Sequence, residues 1–291
     1  MENGPVCRLP HLVARRTAFG FRSAMRALIV SDIHANLEAL EAVLAAAPEH
    51  EVVWNLGDVV GYGANPNEVI DESRRLGSVF VRGNHDRACS GLGGIEEFNP
   101  IAQRAARWTE CVLTGDHREW LRHLAAGPIA PDGPTVRCVH GSPLDEDDYL
   151  LTVRDAWPVL HSTDARITFF GHTHMQGGFA TNGDEWFRLT PRYAVHEKPP
   201  GKRSLHESHP DFSHEAESFE LDLREGARYL LNPGSVGQPR DGDWRAAFAL
   251  YDDARKTVTW YRVPYDLREA QQRILKAGLP DRLALRLREG R

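Results

Sequence analysis

Ala27-Leu28-Ile29-Val30-Ser31-Asp32-Ile33-His34 decides the fold, because a short, branched, unbroken apolar run ends in a carboxylate and an imidazole two residues apart. A run without polar alternation reads as a strand buried on both faces. It places Asp32 and His34 at the strand's carboxyl end. A helix follows, with Leu37, Leu40, Leu44 and Ala47 on one face, Asn36 as its cap and Pro48 as its stop.

The same plan recurs four times. Residues 51–56 run into Gly57-Asp58, and 79–81 run through Arg82 into Gly83-Asn84-His85-Asp86. Residues 135–139 run into His140-Gly141, and 167–170 into Gly171-His172-Thr173-His174. In open α/β sheets, functional groups gather beyond the carboxyl ends of the strands, so these five segments are expected to converge. Asp32, His34, Asp58, Asn84, His140, His172 and His174 offer carboxylate, amide and imidazole donors without a thiolate, a set suited to Mn²⁺, Fe or Zn²⁺, with Ni²⁺ also compatible. Seven donors exceed one coordination shell. Two divalent ions are expected, with Asp58 able to bridge them; such a pair clamps a phosphoryl group and acidifies a bound water to hydroxide for in-line attack.

The remaining sequence supplies scaffold. Residues 100–126 read as two helices split at Thr114-Gly115-Asp116, with Trp108 and Trp120 as core residues. Residues 178–181 and 186–189 form a hairpin across Asn182-Gly183-Asp184. The stretch 193–217 reads as a polar surface loop, and its four histidines, at 196, 206, 209 and 214, fit no compact metal site. Strands follow at 219–223 and 228–231, the second leading into the turn-rich loop from Asn232 to Asp241. A hairpin pairs 246–251 with 257–262, and helices at 267–277 and 281–289 complete the 264–291 region.

At 291 residues the chain can bury a sizeable core, read as one domain over 25–291. Residues 1–24 read as a poorly ordered extension, or as the product of an upstream start with Met25 as the true beginning; the apolar run that follows Arg15-Arg16 is too short for an export signal. Thirty-five basic against 41 acidic residues give a net charge of −6, so no basic footprint supports nucleic acid as a partner. No apolar run approaches the roughly 18 residues of a membrane span. Cys7, Cys89, Cys111 and Cys138 make no disulfide framework, which favours a reducing, cytoplasmic setting.

The blocks D-x-H, G-D, G-N-H-D, H-G and G-H-x-H, in that order from Asp32 to His174, resemble the signature of the calcineurin-like metallophosphoesterases. The resemblance extends more loosely through Asn232-Pro233-Gly234-Ser235-Val236-Gly237, in the manner of small bacterial and archaeal phosphoesterases. It implies an α/β fold, a four-layer αββα sandwich of two mixed sheets flanked by helices. It also implies that Asp32, His34 and His174 hold the first metal, that Asn84, His140 and His172 hold the second, that Asp58 bridges, and that His85 is the acid for the leaving oxygen. Asn84 would also touch phosphate.

One block departs from the protein phosphatases, which carry G-D-x-V-D-R-G where this chain has Gly57-Asp58-Val59-Val60-Gly61-Tyr62-Gly63. The carboxylate that would orient His85 is missing at Gly61, and the phosphate-gripping arginine is Tyr62. Asp86 or a backbone carbonyl is then expected to orient His85, and Arg240 and Asn36 to replace the phosphate contact. The expected function is a phosphodiesterase on small phosphate esters or nucleotides. Its rivals are a phosphomonoesterase or protein phosphatase, a dinucleoside polyphosphate hydrolase, and a non-catalytic scaffold of the same fold.

Overall fold

The computed structural model describes residues 25–193 and 215–291. The expected extension at 1–24 and residues 194–214 of the expected loop lie outside the described residues. In chain order the strands are β1 (Arg26–Val30), β2 (Val52–Asn55), β3 (Val79–Phe80), β4 (Val136–Cys138), β5 (Ile167–Phe169), β6 (Gly177–Thr181), β7 (Trp186–Leu189), β8 (Glu217–Asp222), β9 (Arg228–Asn232), β10 (Ala246–Asp252) and β11 (Thr257–Val263). The α-helices are α1 (Leu37–Ala46), α2 (Pro66–Leu76), α3 (Asn84–Cys89), α4 (Pro100–Val112), α5 (Gly115–Arg122), α6 (Val153–Ser162), α7 (Leu267–Lys276) and α8 (Asp281–Glu289).

Two mixed sheets face each other. The first has the order β3-β2-β1-β10-β11-β8, parallel through β1, β2 and β3 and antiparallel beyond; the second has the order β4-β5-β9-β6-β7, parallel through β4, β5 and β9. Strand alternation sorts β1 between two cores. Ala27 and Ile29 join Trp54, Phe169, Tyr251 and Trp260 between the sheets, whereas Leu28 and Val30 pack with residues of α1, α2, α4, α5, α7 and α8 on the outer face. Helix α6 covers the other sheet through Ala156, Val159 and Leu160 against Phe170, Phe179 and Leu230. The layers are therefore helices, sheet, sheet, helix. Among the described residues no helix is long and apolar enough to cross a membrane.

Three helices were not expected from the sequence. α2 opens with Pro66 at its first turn, where the missing N–H costs nothing. α3 starts on the Gly83-Asn84-His85-Asp86 block itself. α6 carries Pro158 inside, which masks its periodicity, yet Thr152 and Asp155 form a reciprocal capping box at its start. Trp108 and Trp120 pack against the outer core as expected, with Trp120 edge-on to Phe80 at 5.2 Å.

Candidate metal centre

The ligand-bearing loops continue pairing past the strand ends. Asp32 N–H donates to the Gly57 carbonyl, His34 N–H to Asp58 and Ala35 N–H to Val59, each at 2.9 Å. Turning side chains inward from so tight a zipper requires left-handed backbone. Asp32, His34, Asp58, His172 and His174 all have φ between 49° and 62°, a conformation that costs non-glycine residues on the order of 1–3 kcal/mol each and persists only where its surroundings enforce it. Gly83 is needed for close approach, because a Cβ there would lie 2.1 Å from Asp58 Oδ1.

Two donor groups result. Asp32, His34, Asp58 and His174 present ligand atoms within 4.8 Å of one another, as do Asp58, His140 and His172, and every member is buried. Asp58 belongs to both groups. Its Oδ2 lies 3.5 Å from His34 Nε2 and 3.5 Å from His140 Nε2. Asn84 Oδ1 lies 3.2 Å from His140 Nε2, which adds the amide to the second group.

Hydrogen bonding fixes which imidazole nitrogen faces inward. His34 Nδ1 donates to the Val60 carbonyl at 3.0 Å, His140 Nδ1 to Leu56 at 2.9 Å and His174 Nδ1 to Gln238 at 2.7 Å. A carbonyl only accepts, so each Nδ1 carries a proton and each Nε2 is free to ligate. His34 Nε2 and His174 Nε2 then face each other at 3.1 Å, and two lone pairs at that distance call for a cation. Asp32 Oδ2 and His172 Nε2 are buried without hydrogen-bond partners, which a bound ion would supply. The residues fit a pair of divalent ions.

Charge agrees with this. Burial pushes the imidazoles of His34 and His174 far down and that of His172 down to about 3, keeping all three in the neutral, ligating form. Burial, helped by the Asp58 charge, raises Asp32 to about 7. Burial also opposes ionisation of Asp58, but the imidazoles around it, His140 first, hold it well below the usual carboxylate range. His140 resists burial in turn: the Asp58 carboxylate lifts it to about 10, so in the metal-free protein a proton occupies ground that a cation would take.

His85 lies beside the centre, 4% exposed, its ring sandwiched by Tyr62 and Phe98 with centroids 4.4 Å away on each side. The backbone N–H of His85 donates to Asp58 Oδ1 at 2.8 Å. The expected orienting partner is not there. Asp86 spends its oxygens on the backbone N–H groups of Asp58, Val60 and Gly83, and His85 Nδ1 is buried without a partner. A Cβ on Gly61 would lie 2.4 Å from that nitrogen, so this packing has no room for a carboxylate at position 61. Burial pushes His85 down to about 4, so in the metal-free protein it is neutral near pH 7.

The two expected phosphate contacts part company. Asn36 Oδ1 accepts from Ala39 N–H at 3.2 Å and its Nδ2 donates to the Gly237 carbonyl at 2.9 Å. It caps α1 and ties down the 237 loop, which commits both of its polar atoms elsewhere than a substrate. Arg240 does reach the site: its guanidinium donates to the Tyr62 hydroxyl at 3.4 Å and to Gln238 Oε1 at 3.2 Å, while its buried Nε has no partner. Tyr62 therefore meets in space the arginine that its own position lacks. Sequence reasoning missed Tyr149, 49% exposed with its ring 3.9 Å from that of His172, and Arg286 of α8, whose guanidinium lies 6.0 Å from the Tyr62 ring. Neither stands next to a ligand block, and no local signal marks them.

Comparison with known proteins agrees with this geometry. The family model for calcineurin-like phosphoesterases matches residues 25–176. An uncharacterised protein of Methanocaldococcus jannaschii, MJ0912, is 34% identical over 273 residues, covering 90% of this chain and 97% of that protein. A symmetrical bis(5'-nucleosyl)-tetraphosphatase of Pectobacterium carotovorum is 32% identical over 111 residues, 36% of this chain and 38% of that enzyme. The crystal structure of a metallophosphoesterase from Sphaerobacter thermophilus superposes with a TM-score of 0.74 at 36% identity, covering 92% of this chain and all of that one. The PH1004 protein of Pyrococcus horikoshii shares the fold at a TM-score of 0.65 and 19% identity, over 91% of this chain and 98% of its own. With its ligand blocks, its two facing sheets and these relatives, the chain belongs to the calcineurin-like phosphoesterases, metal-dependent hydrolases of phosphoric esters.

Proposed function

We propose that the chain is a two-metal phosphodiesterase acting on small phosphate esters or nucleotides. The observation that carries this reading is Asp58, whose carboxylate is common to both donor groups. Two divalent ions so held would polarise the phosphoryl oxygens and lower the pKa of a bound water toward neutrality. The side chains do the rest. Arg240 supplies charge to the phosphoryl group with a planar fork, and Asn84 contributes a polar contact beside the second donor group. His85, pressed between Tyr62 and Phe98, gives a proton to the leaving oxygen once the anionic substrate raises its affinity for one. The oxygen and nitrogen donors suit Mn²⁺ first, with Fe, Zn²⁺ or Ni²⁺ as alternatives. A cytoplasmic setting fits the free thiols of Cys89, Cys111 and Cys138.

Gly61 and Tyr62 depart from the protein-phosphatase pattern, which favours small substrates over phosphoproteins. A cavity of about 280 Å³, lined among others by Leu150, Thr173, Met175, Phe179 and Tyr193, opens next to the histidine loop and offers room for a small organic group. The test is a screen of the Mn²⁺-loaded protein against phosphomonoesters, linear and cyclic diesters, and dinucleoside polyphosphates. Diesters are expected to give the highest kcat/KM; monoester preference would overturn the diester reading, and no turnover on any class would leave a non-catalytic scaffold.

A further inference from the structure

The Arg240 guanidinium is held between two tyrosines, one on each half of the metal centre. The backbone N–H of Arg240 donates to the His174 carbonyl at 3.1 Å, which roots the residue beside the first donor group. Its side chain donates to the hydroxyl of Tyr62, whose ring lies 4.6 Å from that of His34 in the same group. It also bonds the hydroxyl of Tyr149, whose ring lies 3.9 Å from that of His172 in the second group. Asp58, common to both groups, acts on both phenols.

The place of Tyr149 is fixed by its loop. The chain after His140-Gly141 folds back over that block, so closely that a Cβ on Gly141 would lie 2.6 Å from the Glu146 carbonyl oxygen and 2.8 Å from the Asp148 nitrogen. Inside the loop, Ser142 Oγ donates to Asp148 at 2.7 Å and accepts from the N–H groups of Leu144 and Asp145 at 3.0 and 3.1 Å. Ion pairs then fasten the loop to the residues flanking Gly83-Asn84-His85-Asp86. Glu146 pairs with Arg82 at 3.0 Å and with Arg87, and Asp147 pairs with Arg87 at 2.8 Å. Both arginines are partly buried, where such pairs are screened less than at the surface. Tyr149 is therefore registered to the same segment that delivers Asn84 and His85.

The two phenols differ in what they can still do. Tyr62 is 7% exposed and its ring is spent on packing against His34 and His85, whereas Tyr149 is 49% exposed, with His172 against its ring. A guanidinium only donates, so the Tyr149 oxygen accepts from Arg240 and keeps its own hydrogen for another acceptor. Burial raises the proton affinity of the phenol further, so the hydrogen is held at neutral pH. A neutral donor that is itself polarised by a neighbouring cation makes the stronger hydrogen bond to an anion.

We propose that Tyr149 is a substrate-contacting residue, whose phenolic O–H, oriented by Arg240 over His172, donates a hydrogen bond to a non-bridging phosphoryl oxygen of the bound ester. This rests on the two-metal hydrolase reading and deepens it. Arg240 supplies charge, and Tyr149 supplies the directed donor on the solvent side of the centre.

The test uses the full chain loaded with Mn²⁺ and orthophosphate as the probe, its affinity read by calorimetric titration and by competition with turnover of bis(p-nitrophenyl) phosphate. Tyr149→Phe keeps the ring on His172 and removes only the hydroxyl. It should weaken orthophosphate about tenfold, the scale of one hydrogen bond to a charged group, and lower kcat/KM on the diester by a similar factor, with metal content unchanged. Because the hydroxyl is oriented by Arg240, the same change made in an Arg240→Gln background should cost less than about twofold. Orthophosphate bound by Tyr149→Phe as tightly as by the parent would make Tyr149 only a cover for His172 and overturn the proposal. So would a full tenfold loss in the Arg240→Gln background, which would remove the coupling. Calorimetry separates this from the parent reading: a Tyr149-dependent affinity in a protein that hydrolyses no ester keeps the contact and removes the hydrolase, whereas diester turnover that ignores Tyr149→Phe keeps the hydrolase and removes the contact.

Discussion

The metal centre and the arginine rim lie side by side but are held by different means. At the centre, three histidines donate Nδ1 to backbone carbonyls of Val60, Leu56 and Gln238, and Asp86 accepts from two backbone N–H groups of the Asp58 loop, those of Asp58 and Val60, and from that of Gly83. Backbone carbonyls thus orient His34, His140 and His174. At the rim, Tyr62, His85, Arg240 and Arg286 touch mostly through faces of rings and guanidiniums. Reaction chemistry calls for the first kind of support, and the second allows a neighbouring surface to be reshaped for a substrate without disturbing the ligands.

The largest expected effect breaks the centre. Asp58→Asn should lower kcat by about 10³-fold or more, and by more than His34→Ala, because the carboxylate serves both donor groups while His34 serves one. Equal residual rates for the two variants would count against a shared ligand.

A smaller, selective effect probes the junction of the two regions. His85→Ala should cost about 10²-fold or more on esters with basic alcohol leaving groups. The loss should be much smaller on p-nitrophenyl esters, whose leaving group needs no proton. Metal content should stay unchanged. Equal losses on both ester types would make His85 a ground-state phosphate contact instead.

The smallest effect is thermodynamic. In the metal-free protein Asp32 titrates near 7 rather than 3.8. Between those values the folded chain holds a proton that the unfolded chain has released, so stability falls as pH rises through that window. A cation takes the proton's place. The gain in Tm on adding saturating Mn²⁺ should therefore be larger at about pH 8 than at about pH 5.5, by a few degrees for a chain of this size. Equal gains at both values would mean that Asp32 is not where the metal competes.

The same contrast explains what could be read from the sequence. Ligands at the centre follow buried strands in fixed blocks, so the strand run from Ala27 to Val30 already locates Asp32 and His34, and the other four blocks repeat the logic. The two mixed sheets were expected from the family resemblance that these blocks carry, and the first and second sheets show them. The orienting role expected of Asp86 is absent, because its side chain turns to the backbone of the neighbouring loop, a contact between residues 28 and 26 positions apart. Asn36 was expected both to cap α1 and to touch phosphate; the cap is present, and its amide nitrogen goes to the Gly237 carbonyl. The helix at Val153–Ser162 was hidden by Pro158. Arg286 is indistinguishable in sequence from Arg282 and Arg288, and only the packing of α8 brings it to Tyr62.

The central claim is that seven side chains make two metal sites sharing Asp58. Elemental analysis of the chain after Mn²⁺ loading and removal of free metal, with anomalous diffraction to locate the ions, tests it most directly. The account predicts close to two ions per chain, one among Asp32, His34 and His174 and one among Asn84, His140 and His172, with Asp58 touching both. A firm stoichiometry of one, with no anomalous peak beside His140 and His172, would contradict it.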